Sequence, residues 1–250
     1  MRRVLGSAIA DSRAPLTATA LRTRLRALAR SRDAAVLQRF FKTRKGEYGE
    51  GDVFIGVRLP ELRMLCREYR GIPVSAISQL LRSRVHEERL LALLLLVDAF
   101  QRSGVTEQGK IYNLYLASTA FINNWDLVDS SAHHIVGAWL DSRSRAPLRR
   151  LARSSSVWER RIATIATFHF IKRGEFEDTL LVADLLLNDP HDLIHKAVGW
   201  MLREIGNRNR TVLRRFLKDR YQRMPRTMLR YAIERLSEKE RLAYLRGTIS

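Results

Sequence analysis

A chain of 250 residues that is 46% hydrophobic and 28% charged can bury a sizeable core and keep a well-solvated surface. Its formal net charge of +19 favours polyanionic partners, nucleic acid foremost. The single cysteine, Cys66, excludes an internal disulfide and suits a reducing cytosol. The longest apolar run, Leu90 to Val97, is too short to span a bilayer and reads as a buried helix segment.

The opening MRRVLGSAIADSRA has too weak and interrupted an apolar stretch for a signal peptide, so residues 1–13 are expected to form a disordered tail. A single HEAT-like repeat domain is expected over 14–250. No stretch alternates like a strand, whereas helical spacing recurs throughout. The six prolines, Pro15, Pro60, Pro73, Pro147, Pro190 and Pro225, each precede a periodic segment, as befits a residue tolerated in the first helical turn. Helices are predicted near 15–30, 33–43, 60–70, 73–83, 86–103, 107–119, 124–140, 147–154, 156–173, 176–188, 191–206, 209–222, 225–235 and 237–246. A small residue recurs in successive helix pairs, at Ala92, Ala132, Ala163, Gly199 and Ala232. The steps of 40, 31, 36 and 33 residues match a HEAT-like hairpin. The expected fold is therefore all-α, a solenoid of stacked antiparallel helix pairs with a concave basic face.

The charge is clustered. Residues 142–161 hold seven arginines against Glu159, and residues 203–230 hold ten Lys/Arg against Glu204 and Asp219. Three positions before each small residue stand Arg89, Asp129, Arg160, Lys196 and Leu229, with Arg161 and Arg230 adjacent to two of them. A cation once per repeat would track a phosphate backbone and make binding salt-dependent. Equally, such residues can cap or pair with neighbouring helices.

Asp129 is the anion in this row. It is either a structural partner for Arg160 or Arg161, or a carboxylate placed beside DNA to stabilise developing positive charge. Its surroundings, FINNWDLVDSSAHH, place Asn123 as a helix cap, Asp126 in the first turn and Trp125 four residues before Asp129 on the same face. Trp200 lies about 140° from the centre of the apolar face of 191–206, with Lys196 one turn earlier. Two tryptophans, a carboxylate and a ring of cations would suit a cationic guest in a basic cleft.

At these residues the chain resembles the AlkD family of DNA alkylation-repair glycosylases. The resemblance runs over roughly 33–235 and rests on RFFKTRKGEYGEGDVFIGVRLPELR, NNWDLVDSSA, VWERRIA and IHKAVGWMLRE, four motifs in order. It implies that Trp125, Asp129 and Trp200 are catalytic and that Arg161 contacts phosphate near the lesion. The implied reaction is hydrolysis of the N-glycosidic bond of cationic alkylpurines, such as 3-methyladenine and 7-methylguanine, in double-stranded DNA. Asp129 would stabilise an oxocarbenium-like sugar and position water, and the tryptophans would pack on the deoxyribose. Arg160, Arg89, Lys196, Lys42 and Lys45 are further candidates for DNA contact. KGEYGEGD, residues 45–52, is an apparent insertion relative to the founding member of that family.

Other residues add little chemistry. His133 and His134 are adjacent and diverge on a helix; His191 and His195 have i, i+4 spacing, but no Glu-bearing motif or cysteine cluster completes a metal site. No metal and no cofactor are expected. Tyr48 reads as exposed, and Cys66 as ordinary packing. No lysine adjoins Asp129 in sequence, so Schiff-base lyase chemistry is not expected. The other readings of the scaffold are a non-catalytic DNA-structure binder and a protein-interaction solenoid; the first has no need of the Trp125/Asp129/Arg161/Trp200 set, and the second fits poorly with the cationic row. A cytoplasmic monomer with no obligate protein partner is expected.

Overall fold

The computed structural model describes residues 15–249. The tail expected over residues 1–13 lies outside them. The helices are α1 (Ala18–Arg26), α2 (Ser31–Phe40), α3 (Leu59–Glu68), α4 (Val74–Leu81), α5 (His86–Arg102), α6 (Val105–Ala117), α7 (Trp125–Asp129) and α8 (Ala146–Ala152). They continue with α9 (Val157–Ala166), α10 (Phe168–Ile171), α11 (Glu177–Leu185), α12 (Asp192–Arg208), α13 (Arg210–Lys218), α14 (Arg226–Ala232) and α15 (Glu238–Arg246). A 3-10 turn spans Thr119–Phe121 and a π-type turn spans His133–Gly137. Among the described residues there is no strand, only an isolated parallel bridge from Val53 to Val85.

Local chemistry explains the boundaries. Pro60 and Pro147 occupy the first turn of α3 and α8, and Pro73 and Pro225 stand at the caps of α4 and α14. Proline costs nothing there, because the first N–H groups of a helix have no intrahelical acceptor. Thr17, Ser156, Asn209 and Ser237 supply side-chain caps to α1, α9, α13 and α15.

Helices α3, α5, α7, α9, α12 and α14 pack in succession, while α4 packs on α5, α8 on α9 and α13 on α12. The stack is the expected helical-repeat solenoid. Its buried side chains form one contiguous cluster running from Ala18 to Tyr244. The recurring small residues lie inside it: Ala92, Ala132 and Ala163 are 0% exposed and Ala232 is 1% exposed. A Cβ on Gly199 would fall 2.5 Å from the carbonyl oxygen of Met228 and 2.5 Å from Cβ of Tyr231, so α12 and α14 meet backbone to backbone there.

Two predicted helices are broken. The segment predicted over 124–140 stops at Asp129 and resumes as the π-type turn, and that over 156–173 divides at Thr167. The Ser131 hydroxyl donates to the Leu127 carbonyl at 2.6 Å and the Thr167 hydroxyl to that of Thr164 at 2.7 Å, competing with the backbone ladder. The breaks face each other: a Cβ on Gly137 would lie 2.3 Å from the Ala166 carbonyl oxygen.

Candidate functional site

The cap of α7 is Asn124, not Asn123. Its buried side chain accepts the Trp125 N–H at 2.8 Å. This starts the helix at Trp125 and brings Asp129 round to the same face one turn later. The Asp129 carboxylate meets Arg161 of α9 in a two-pronged pair. Nε of Arg161 donates to Oδ1 at 2.9 Å and Nη2 to Oδ2 at 2.8 Å, while Nη1 donates to the Leu193 carbonyl at 2.6 Å. Burial pushes the Asp129 carboxyl above its usual range, and the charge and hydrogen bonds of Arg161 act against that rise.

Asp129 and Arg161 lie in the wall of a cavity of about 590 Å³ that also takes in Trp125, Trp200, Tyr48 and Tyr231. Trp125 is backed by Phe41, stacked at 5.2 Å between centroids, with Phe40 edge-on at 6.0 Å. Trp200 is half-buried on α12 and lies 6.1 Å from the Phe168 ring. Lys42, Lys196 and Arg203 add positive charge to the lining. Aromatic faces, the carboxylates of Asp129 and Asp192 and the surrounding cations suit a polyanion carrying a locally cationic group.

Not every expected cation points here. Arg89 is 3% exposed, and its guanidinium donates to Asp52 at 2.6 Å and to the Ser83 carbonyl at 2.9 Å. It is turned into the protein, away from any phosphate. Leu229, the last member of the row, is likewise buried. Arg160 donates to Asp189 and to the carbonyls of Ser154 and Ser155. Arg161, expected on phosphate, is 5% exposed and spent on Asp129 and Leu193. Lys42 reaches the cavity, whereas Lys45 is exposed beyond it. Lys196, also in the lining, has Nζ 2.8 Å from Asp192.

Other residues were misread in the sequence or, like His86, Glu87 and Glu88, went unread. Tyr48 is half-buried in the cavity wall, 6.3 Å from the Trp158 ring, rather than exposed. The cluster HEER at the start of α5 is wholly buried: Glu87 accepts the Gly56 N–H at 2.8 Å, and Glu88 pairs with Arg22 and Arg26. Four consecutive polar residues before an apolar helix were the signal available. His191 Nδ1 accepts the Leu193 N–H, and His195 Nε2 bonds the Asp189 carbonyl, so the protein itself occupies both rings. A larger cavity of about 700 Å³, lined in part by Arg145, Phe176, Asp184 and Phe216, contains none of the expected residues.

Residues 21–236 match the protein family described as DNA alkylation repair enzyme. The chain belongs to that family. A solved structure, described as a predicted DNA alkylation repair enzyme from Enterococcus faecalis, is similar to this repair-family chain with a TM-score of 0.65 at 18% identity. The similarity covers 84% of the present chain and 97% of the other, and shows a shared fold. No curated protein matches the chain. The family thus ties this alkylation repair chain to damaged DNA.

Proposed function

We propose that this protein is a monofunctional alkylpurine DNA glycosylase built on a HEAT-like scaffold. The observation that carries the reading is the Asp129 carboxylate, held by Arg161 and walled by Trp125 and Trp200 in one cation-lined cavity. Alkylation leaves a purine cationic and already a good leaving group, so the protein need not protonate it. What must be stabilised is the positive charge that grows on the sugar as the glycosidic bond breaks. A fixed carboxylate does this electrostatically, and its lone pairs orient the water that completes hydrolysis. Trp125 and Trp200 offer π faces to the sugar, and Lys42, Lys196 and Arg203 offer charge to the flanking phosphates.

Arg161 takes a different part from the one the sequence suggested. Its fork fixes both carboxylate oxygens, which makes it a positioning residue for Asp129 rather than a phosphate ligand. Lys196 is poorly suited to lyase chemistry. A Schiff-base lysine needs a lowered pKa, and the hydrogen bond to Asp192 raises that of Lys196.

The test is release of free base from duplex DNA carrying a single 7-methylguanine, beside the same duplex unmodified. The reading expects release from the modified strand only, leaving an uncleaved abasic site. The two-pronged pairing of Asp129 with Arg161 favours a second reading, a purely structural pair in a DNA-binding protein. Tight binding without release of 7-methylguanine or 3-methyladenine would select that reading.

A further inference from the structure

Beneath the cavity lies a buried polar cluster that neither the family assignment nor the reaction uses. His86, at the start of α5, is 1% exposed. Its Nδ1 lies 3.1 Å from Oδ2 of Asp52 and its Nε2 2.8 Å from Oδ2 of Asp126. Asp52 closes the loop that carries Lys42 and Tyr48 into the cavity wall. Asp126 follows Trp125 directly, and Asn124, the cap of α7, donates to Asp52 at 3.2 Å. A second route runs through rings. His86 lies 5.0 Å from Phe41, and Phe41 stacks on Trp125.

We propose that His86 is a positioning residue for the lesion site, latching the Tyr48 loop to the start of α7 and so setting the place of Trp125. The geometry fixes its working form. Ionised carboxylates only accept hydrogen bonds, so both ring nitrogens must carry protons to satisfy Asp52 and Asp126 together. The charged groups facing the ring are Asp126 from α7, Asp52 from the loop and Arg89 from its own helix. Burial alone would lower the His86 pKa; the two carboxylates outweigh it and lift the value to about 8. Above that pH one carboxylate loses its donor and the latch slackens.

The test has two arms, and only the second rests on the glycosylase reading. In the first, tryptophan emission of the DNA-free protein is titrated from about pH 6 to about pH 9.5. The latch predicts a transition near pH 8, moved to lower pH in Asp126→Asn and absent in His86→Gln and in Trp125→Phe. No transition in the wild type, or one retained in His86→Gln, would overturn it. In the second arm, single-turnover release of 7-methylguanine is followed at saturating enzyme. The wild-type rate should fall about tenfold through the same transition with little change in DNA affinity, while His86→Gln is slow and flat throughout. A rate unchanged across a transition seen in emission would overturn the positioning role. If the wild type releases no base at any pH, the glycosylase reading fails and the emission arm still decides the latch. Should His86→Gln fail to fold, the wild-type profile and the Asp126→Asn displacement decide instead.

Discussion

At Asp129 two effects oppose each other: burial raises the proton affinity of the carboxyl, and the Arg161 fork lowers it. In the proposed reaction Asp129 acts as the carboxylate, so activity should fall as pH drops through a value above the ordinary 3.8. Removing the fork in Arg161→Ala takes away the lowering effect and should move this acid limb to still higher pH. It also leaves a largely buried carboxylate without its partner, which should destabilise the fold by about 3 kcal/mol near neutrality. Because the unpaired Asp129 then binds its proton more readily folded than unfolded, acidification should return part of that loss. Denaturant midpoints at two pH values, read beside the pH–rate profile, check both statements. The placing of Trp125 and Asp129 on one face was legible in the sequence because it depends on i, i+4 spacing within a single segment; their grouping with Trp200 was implied by the family resemblance. Arg89 was not, because its acceptor Asp52 lies 37 residues away and an inward-turned arginine looks the same in sequence as an outward one. The His86 cluster was hidden for the same reason, being assembled from three separate segments.

At the scale of elements, helix starts were readable from proline and cap chemistry, while the interruptions in α7 and α9 were not. Apolar periodicity continues through both breaks; the Ser131 and Thr167 hydroxyls compete with the ladder there, and the close approach of Gly137 to the Ala166 carbonyl is a tertiary contact that no local pattern announces. The recurring small residues did forecast where helices touch. Gly199→Ala tests that forecast. Alanine is favoured over glycine in a helix by about 1 kcal/mol, yet here its Cβ would press on the Met228 carbonyl at 2.5 Å. Overpacking should win, with a net loss of about 2 kcal/mol in thermal or denaturant unfolding. Tyr231, the other neighbour of that Cβ, lines the cavity, so the same change should also slow the reaction.

For the molecule as a whole, the +19 charge was a sound guide to a DNA-directed family, but the row of repeat cations was not a continuous binding stripe. Arg89, Arg160 and Arg161 hydrogen-bond to carboxylates of the protein itself. The cations left facing the cavity are Lys42, Lys196 and Arg203, of which Lys196 and Arg203 pair with Asp192 and Glu234. Salt titration of duplex binding separates the two groups. Lys42→Ala should reduce the slope of log K against log salt by about one, as expected for one phosphate contact. Arg89→Met should leave that slope unchanged.

The most direct test of the site is single-turnover release of 7-methylguanine from duplex DNA by wild type and Asp129→Asn, with affinity for the duplex measured in parallel. Asparagine keeps the shape of the side chain and removes its charge. A rate at least about a hundredfold lower is expected in the variant, the usual cost of losing one electrostatic group aimed at the transition state, with affinity nearly unchanged. Equal rates in the two proteins would contradict it and return Asp129 to a structural partner of Arg161.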